Sequence, residues 1–169
     1  MSYKDPTYVI FDGDNDYWAY RNMRGWKARE HIDFDFRDAH DLDSMTSRAR
    51  DEAYVKRHLR ERMAQSKAAI VLVGESTRYL YKYIRWELEL AQEKDLPLIV
   101  VNLNGLRRRD DKLCPPIIRD ACAIHIAFKM KAIQFALDNF PSWYRGASLQ
   151  TKAGGWRYYE DHHYTALGI

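Results

Sequence analysis

Cysteine is scarce: the 169 residues contain two, Cys114 and Cys122. They lack the paired spacing of a zinc site, and two thiols make no disulfide framework, so reduced thiols in a reducing compartment are the expectation. Long apolar runs are absent too. Nothing approaches the roughly 20 residues that span a bilayer, and the opening Met1-Ser2-Tyr3-Lys4-Asp5-Pro6 has no apolar signal core. A soluble, cytoplasmic protein without a membrane partner is therefore expected. Neither charge sign is in large surplus, since Lys+Arg 27 against Asp+Glu 24 leaves +3. That excess is too small to argue for nucleic acid without a clustered face. The one dense basic run, Arg107-Arg108-Arg109, is followed at once by Asp110-Asp111 and reads as a solvated loop.

There are no internal repeats and no low-complexity tract. With 46% hydrophobic and 30% charged residues, a disordered or collagen-like chain is excluded and one domain with one core fits the length. The conspicuous surplus is aromatic, with 12 Tyr and 5 Trp against 6 Phe. Tyr and Trp favour sites where one end of the ring is wet. They gather after the first strand, around Tyr79 to Trp86, and in the tail from Trp143 to Tyr164. This distribution predicts Phe in the sheet core, with Tyr and Trp walling a crevice and clamping the tail.

Short β-branched runs alternate with segments of helical period, the pattern of a parallel sheet covered by helices. The expected strands are Thr7 to Phe11, Ile32 to Phe36, Ala68 to Val73, Pro97 to Leu103 and Cys122 to Phe128. Between them, Val55, Leu59 and Met63 mark one helix stripe, Leu80, Ile84, Leu88 and Ala91 a second, and Ile133, Leu137 and Phe140 a third. Tyr17 to Glu30 has no proline and must cross between the first two strands as a helix. The sum is an α/β, flavodoxin-like doubly wound sheet of five parallel strands in order 2-1-3-4-5. Residues 1–140 would form this domain. From Pro141 the rhythm stops, and 141–169 is expected to be an aromatic tail packed back on it.

In such sheets ligands bind outside the carboxyl ends of the strands, where strand order reverses. That crevice would collect Asp12 to Asp16, Arg37 to Asp43, Gly74 to Thr77 and Asn102 to Gly105. The first loop, Asp12-Gly13-Asp14-Asn15-Asp16, is suited to a cation or to ribose hydroxyls. An EF-hand is excluded, because its sixth and twelfth positions hold Tyr17 and Met23 rather than Gly and Glu. A magnesium-dependent phosphatase of the haloacid-dehalogenase type would share the Asp-x-Asp pair. It would need Thr or Val where Asp16 stands and an acidic pair where Asn102-Leu103-Asn104 stand. A receiver domain would need Asp where Gly74-Glu75-Ser76 stand, and an acidic first loop repels the phosphate that a flavodoxin loop cradles.

A second feature is Glu87, which at 100° per residue projects near the face of Leu80, Ile84 and Ala91, while Glu89 points away. A carboxylate near an apolar face must be paired, neutralised or placed where it is used. An ion pair with Arg85 is the structural explanation for it.

The stretch Val71 to Leu80, continuing through Tyr83-Ile84-Arg85-Trp86-Glu87-Leu88-Glu89, resembles the third strand and following helix of a TIR domain. Ser76, Tyr79, Trp86, Glu87 and Leu88 take the family's motif positions. The closer resemblance is to the TIR-like proteins of the bacterial Thoeris anti-phage system, the ThsB type. It rests on Phe11 to Asp16, Asp38-Ala39-His40-Asp41, Arg85-Trp86-Glu87, Pro97 to Asn104 and Cys114-Pro115-Pro116. Many TIR domains have Ser and an aromatic where this chain has Asp12 and Gly13.

The resemblance implies cleavage of NAD+ between nicotinamide and ribose with Glu87 as the catalytic carboxylate. It also implies a cyclic ADP-ribose-type signal and an effector protein of the same defence system that responds to it. NAD+ is then a substrate, with no other cofactor and no metal, and a homo-oligomer is possible. Asp12, Asp14 and Asn15 would bind ribose or stabilise their loop; Asp38 and His40 would contact the adenosine half or cap a helix. Ser76 would bind phosphate or act as a cap, and Arg85 would bind substrate or support Glu87. Trp86 would stack on a base or pack in the core. A non-enzymatic TIR-like interaction module is the alternative of a different class.

Overall fold

The structure is a computed structural model that describes residues 3–29, 34–37, 51–80 and 82–169. Its strands are β1 (Pro6–Ile10), β2 (Asp35–Arg37), β3 (Ala68–Val73), β4 (Leu98–Asn102), β5 (Ala123–Ala127) and β6 (Arg157–Tyr158). All neighbours run parallel, in the order β2-β1-β3-β4-β5-β6. The helices are α1 (Tyr17–Arg29), α2 (Glu52–Met63), α3 (Tyr83–Glu93), α4 (Met130–Gly146), α5 (Leu149–Lys152) and α6 (Asp161–Ala166).

Period-2 alternation divides the strand residues between two cores. Val9, Ile70, Leu72, Ile99, Val101, Ile124 and Ile126 face α1, α4 and Tyr164 of α6. Tyr8, Ile10, Val71, Val73, Leu98 and Val100 face α2 and α3. The stripe Val55, Leu59 and Met63 is buried as the spacing predicts, and so are Ile133, Leu137 and Phe140. Leu80 differs: it ends a 3-10 turn (Thr77–Tyr79) and is exposed, because α3 begins only at Tyr83.

The flavodoxin-like expectation holds, extended by a sixth strand. The expected loss of regular structure at Pro141 does not occur. Helix α4 runs through Pro141, whose missing backbone donor is tolerated where Phe140, Pro141 and Tyr144 bury together. After α5 the chain returns to lay β6 beside β5, pairing Ile124 with Arg157 and His125 with Tyr158.

Arginine holds this return segment in place. The guanidinium of Arg107 lies 4.3 Å from the Tyr164 ring centroid, that of Arg108 lies 4.9 Å from Tyr158, and that of Arg109 lies 4.9 Å from Trp156. Arg107 also bonds Asp161 at 3.1 Å. The basic run is thus a comb that stacks on the tail rather than a freely solvated loop. Each such pair is worth about 0.5 to 2 kcal/mol, depending on exposure. The rings of the tail do clamp it, but the Phe expectation holds only in part. Phe11, Phe34 and Phe140 are buried, whereas Phe36, Phe128 and Phe135 are half-buried.

Next to this clamp His125 is fully buried, 5.8 Å from the Trp156 ring, and neither ring nitrogen has a hydrogen-bond partner among the described residues. Burial, with a smaller contribution from the Arg109 charge, pushes its pKa down from 6.5 to about 4. The unfolded chain therefore takes up a proton that the folded chain refuses, so stability is full above about pH 6.5 and falls as the pH drops toward 4. Urea titrations should show His125 removing about 2 kcal/mol between pH 7.5 and pH 5. In His125→Leu that component should vanish; an unchanged pH slope would show that His125 does not cause it.

Candidate functional site

The chain leaves β1 through Phe11 into the acidic loop and leaves β3 through Gly74 to Thr77. Because β1 and β3 are neighbours where the strand order reverses, these two loops meet. Asp12, 3% exposed, joins them. Its Oδ1 accepts from the backbone amides of Asp14 at 3.0 Å and Asn15 at 3.3 Å. Its Oδ2 accepts from Asn15 Nδ2 at 2.7 Å and Ser76 Oγ at 2.6 Å. Burial raises the Asp12 pKa, but the bonds from Ser76, Asn15 and the two amides outweigh it and hold the carboxyl below its ordinary value.

Asp16 is buried one turn further on and titrates above the usual range, through burial first and then the Asp12 charge, with Thr77 partly offsetting both. Thr77 Oγ1 lies 3.4 Å from Asp16 Oδ2 and accepts from the Gly74 amide at 2.9 Å. The Asp16 carboxylate rests directly on Gly74: a Cβ there would fall 2.4 Å from Asp16 Oδ2 and 2.6 Å from Oδ1. Asp14 and Asn15 are exposed at the loop tip.

Glu87 comes from α3. It is the fifth residue of a helix that starts at Tyr83, and it is 7% exposed. The Tyr8 hydroxyl, rising from the middle of β1, donates to Glu87 Oε1 at 2.7 Å. Arg85 does not pair with it. Its guanidinium bonds Glu89 Oε1 at 2.8 Å on the exposed side of the helix. Arg85 also lines a groove of about 380 Å³ with Thr77, Arg78 and Ile84, closed on the other side by Pro115 and Pro116. Trp86 packs edge-on to Tyr83 at 5.6 Å and carries Lys56 over its face at 4.9 Å, which favours packing over a free stacking surface.

The structure therefore brings Asp12, Asn15 and Ser76 together, places Glu87 against β1, and sets Arg85 on the other side of α3. Asp38 and His40 lie outside the described residues. Among the described residues no cluster of His, Cys, Asp or Glu is suited to hold a metal ion, and no helix is long and apolar enough to cross a membrane. Sequence reasoning missed Tyr8, and it placed Asp16 and Thr77 in the crevice without giving either a role. Tyr8 carried a signal, as the one aromatic of the first strand with a polar end; Asp16 and Thr77 owe their roles to the approach of two loops far apart in the chain.

Residues 3–108 match the family model described as "Thoeris protein ThsB, TIR-like domain". The chain belongs to that family. The matched stretch contains Tyr8, Asp12, Ser76 and Glu87, and ends within the arginine comb. Among solved structures, the L780 UDP-rhamnose synthase from Acanthamoeba polyphaga mimivirus aligns at 11% identity and a TM-score of 0.35. The alignment covers 72% of this TIR-like chain and 55% of the synthase, so the chain spans little more than half that protein's length. At that score nothing about the TIR-like chain follows from it.

The contact at Gly74 can be measured. Gly74→Ala should destabilise by about 1 to 3 kcal/mol, since either Asp16 or the β3 loop must move. Gly25→Ala is the control: a Cβ there meets nothing within 4 Å and the site is inside α1. It should stabilise by about 0.5 to 1 kcal/mol. Chemical denaturation of both variants decides it, and a neutral Gly74→Ala would refute the packing constraint.

Proposed function

We propose that this TIR-like protein cleaves NAD+ between nicotinamide and ribose, with Glu87 as the catalytic carboxylate. The observation that carries the reading is a carboxylate almost removed from water in the second turn of α3, held by the Tyr8 hydroxyl. It lies in the segment that matches a family which includes NAD+-cleaving enzymes. A buried carboxylate costs several kcal/mol of hydration unless partners replace it. A purely structural site would more economically hold an apolar residue there.

The chemistry asks little of the protein. Ordinary glycoside hydrolysis needs an acid to protonate a poor leaving group as well as a second carboxylate. Nicotinamide is cationic in NAD+ and leaves neutral, taking the bonding pair of the ribose C1–nitrogen bond. One carboxylate beside the anomeric carbon then stabilises the oxocarbenium charge or orients the ribose hydroxyls. Capture of that carbon by water gives ADP-ribose. Capture by a nucleophile of the same molecule, with loss of its proton, gives a cyclic isomer. The second outcome is the signal we assign to the reaction, with an effector protein of the defence system as its receiver.

Asp12 fits a supporting role: with both oxygens engaged by four donors, it shapes the loop that presents Asp14 and Asn15. The same engagement disfavours Asp12 as a phosphatase nucleophile.

NAD+ incubated with the protein, purified and in lysate from infected cells, should release nicotinamide. Glu87→Gln should lower the rate about 100-fold or more. Tyr8→Phe, which deletes one hydrogen bond to the carboxylate, should lower it about tenfold. Equal nicotinamide release by wild type and Glu87→Gln would overturn the assignment.

A further inference from the structure

Helix α1 concentrates the positive charge of the protein. Its thirteen residues include Arg21, Arg24, Lys27 and Arg29 and neither Asp nor Glu, whereas the whole chain nets only +3. All four are exposed, and none has an ion pair among the described residues. Arg24 has a long contact with the Tyr20 ring, 6.0 Å from its centroid. By contrast Lys56 is paired with Glu52, Arg85 with Glu89, Arg107 with Asp161 and Lys152 with Asp95. Arg21 and Arg24, and Arg24 and Lys27, are like charges three residues apart, a spacing that destabilises a helix. The fold gains nothing from this arrangement, and a ligand that neutralises it would.

The inner side of α1 is committed to the core through Ala19, Tyr20 and Met23. On the outer side the helical period places Tyr17, Arg21, Arg24 and Ala28 in one strip, with Lys27 and Arg29 flanking it. The bed between the cations is shallow, because Gly25 and Ala28 stand there and a Cβ on Gly25 would meet nothing within 4 Å. An unpacked Gly inside a helix is unfavourable by itself, but it lets another chain approach the backbone. Two rings head the strip. Tyr17 is 47% exposed and Trp18 is 45% exposed. Trp18 meets Phe128 edge-on at 5.5 Å, and Tyr17 is tilted 6.3 Å from Phe11 and 6.4 Å from Tyr20. Among the described residues neither ring is stacked on another or covered by a cation. Lys129, exposed and next in the chain to Phe128, extends the positive side toward α4. The acidic loop ends at Asp16, so the cations begin more than a turn beyond it.

Four unpaired cations spread over about 12 Å of helix axis suit a polyanion. A lipid surface is disfavoured, since the apolar side that would enter it is already buried in the core. An acidic peptide would use the charges and leave the rings idle. Single-stranded nucleic acid uses both, with phosphates on the cations and bases on exposed aromatic faces. We propose that the outer side of α1 binds single-stranded nucleic acid, with its phosphates at Arg21, Arg24, Lys27 and Arg29 and its bases against Tyr17 and Trp18. This surface lies across the sheet from the core that α3 and Glu87 pack on, and does not depend on NAD+ cleavage.

Fluorescence anisotropy of a labelled oligo-dT strand of about 20 nucleotides, titrated with the full chain, tests it. Between about 50 and about 200 mM salt the affinity should fall about 20- to 50-fold, as three or four phosphate contacts to a single strand require. Arg21→Gln combined with Arg24→Gln should weaken binding about tenfold or more and make the salt slope shallower by about 1.4. Trp18→Ala should weaken it about tenfold with the slope unchanged. Because Trp18 also packs on Phe128, Gly25→Glu is the second variant: its side chain enters open space, so it should unfold in denaturant like the wild type yet bind about tenfold or more weakly. Glu87→Gln should bind as the wild type does, so failure of the cleavage reading and failure of this one are distinguishable. The proposal is overturned if the strand does not bind at the lower salt, or if the double arginine variant or Gly25→Glu binds it like the wild type. A duplex of the same length that binds as tightly, polyglutamate that competes as well as unlabelled strand, or phosphatidylserine vesicles that bind where the strand does not would overturn it as well.

Discussion

Everything at the candidate site depends on one carboxylate that ties two strand ends together. In a doubly wound sheet the strands flanking the reversal point send their chains to opposite faces, so their loops diverge unless something joins them. Here Asp12 does so, accepting from its own loop with one oxygen and from both loops with the other. The bond from Ser76 crosses 64 positions of sequence. Once it is made, the neighbouring choices are constrained. Asp16 is carried onto Gly74, where no side chain fits, and Thr77 takes the position where one hydroxyl can serve Asp16 and the Gly74 amide. The two acids have opposite tendencies, one held low by donors and the other raised by burial beside its neighbour. Each of two closely spaced buried carboxylates makes the other costlier to ionise, and the donors around Asp12 offset that cost there.

Glu87 depends on the other end of the same logic. A helix carried directly on from β3 would have begun at Thr77 and taken Glu87 into its third turn. Instead a single 3-10 turn serves the Asp12 and Asp16 bonds, and α3 starts again at Tyr83. That restart puts Glu87 over β1, within reach of Tyr8. The helix dipole acts mainly within the first turn, and Arg85 is spent on Glu89. The phenol is a partner that the fold places beside this carboxylate, and it comes from a strand whose alternation turns Tyr8 toward α3.

Much of this was legible in the sequence because it is periodic. The run Ala68 to Val73 is buried along its whole length, and Val55, Leu59 and Met63 fall on one face whatever surrounds them. The carboxylate on the α3 face was legible for the same reason. What escaped was set by contacts between distant segments. No local pattern says that Asp12 meets Ser76. Arg85 is the exception: it pairs with Glu89 by a local rule, four residues on along one helix face, while Glu87, two residues on, points elsewhere. Pro141 misled because a local rule was outweighed: one missing donor counts for less than the burial of Phe140, Pro141 and Tyr144 together. Strand β6 is two residues long and carries no alternation at all, so pairing with β5 is the only thing that makes it a strand.

The arginine run shows most sharply how composition and structure diverge. Three consecutive positive charges beside two negative ones look like solvent-facing loop, and by charge counting they are. Yet arginine is weakly hydrated and planar, so it lies against an aromatic ring at a low desolvation cost while its edge still bonds carboxylates and carbonyls. Arg109 does both: it covers Trp156, bonds Asp111 at 2.6 Å and donates to the Arg119 carbonyl at 3.0 Å. Because consecutive residues project in different directions, the three can engage three separate rings, and Trp156, Tyr158 and Tyr164 are spaced along the return segment to receive them. The aromatic surplus and the basic run are thus two halves of one device. It fastens the segment that builds β6 and α6 to the loop after β4, whose other side meets the β3 turn where Arg78 donates to the Lys112 carbonyl. A tail attached in this way, by the arginines together with the β5–β6 pairing and the bond between the Tyr164 hydroxyl and the Ala127 amide, is a wall of the domain.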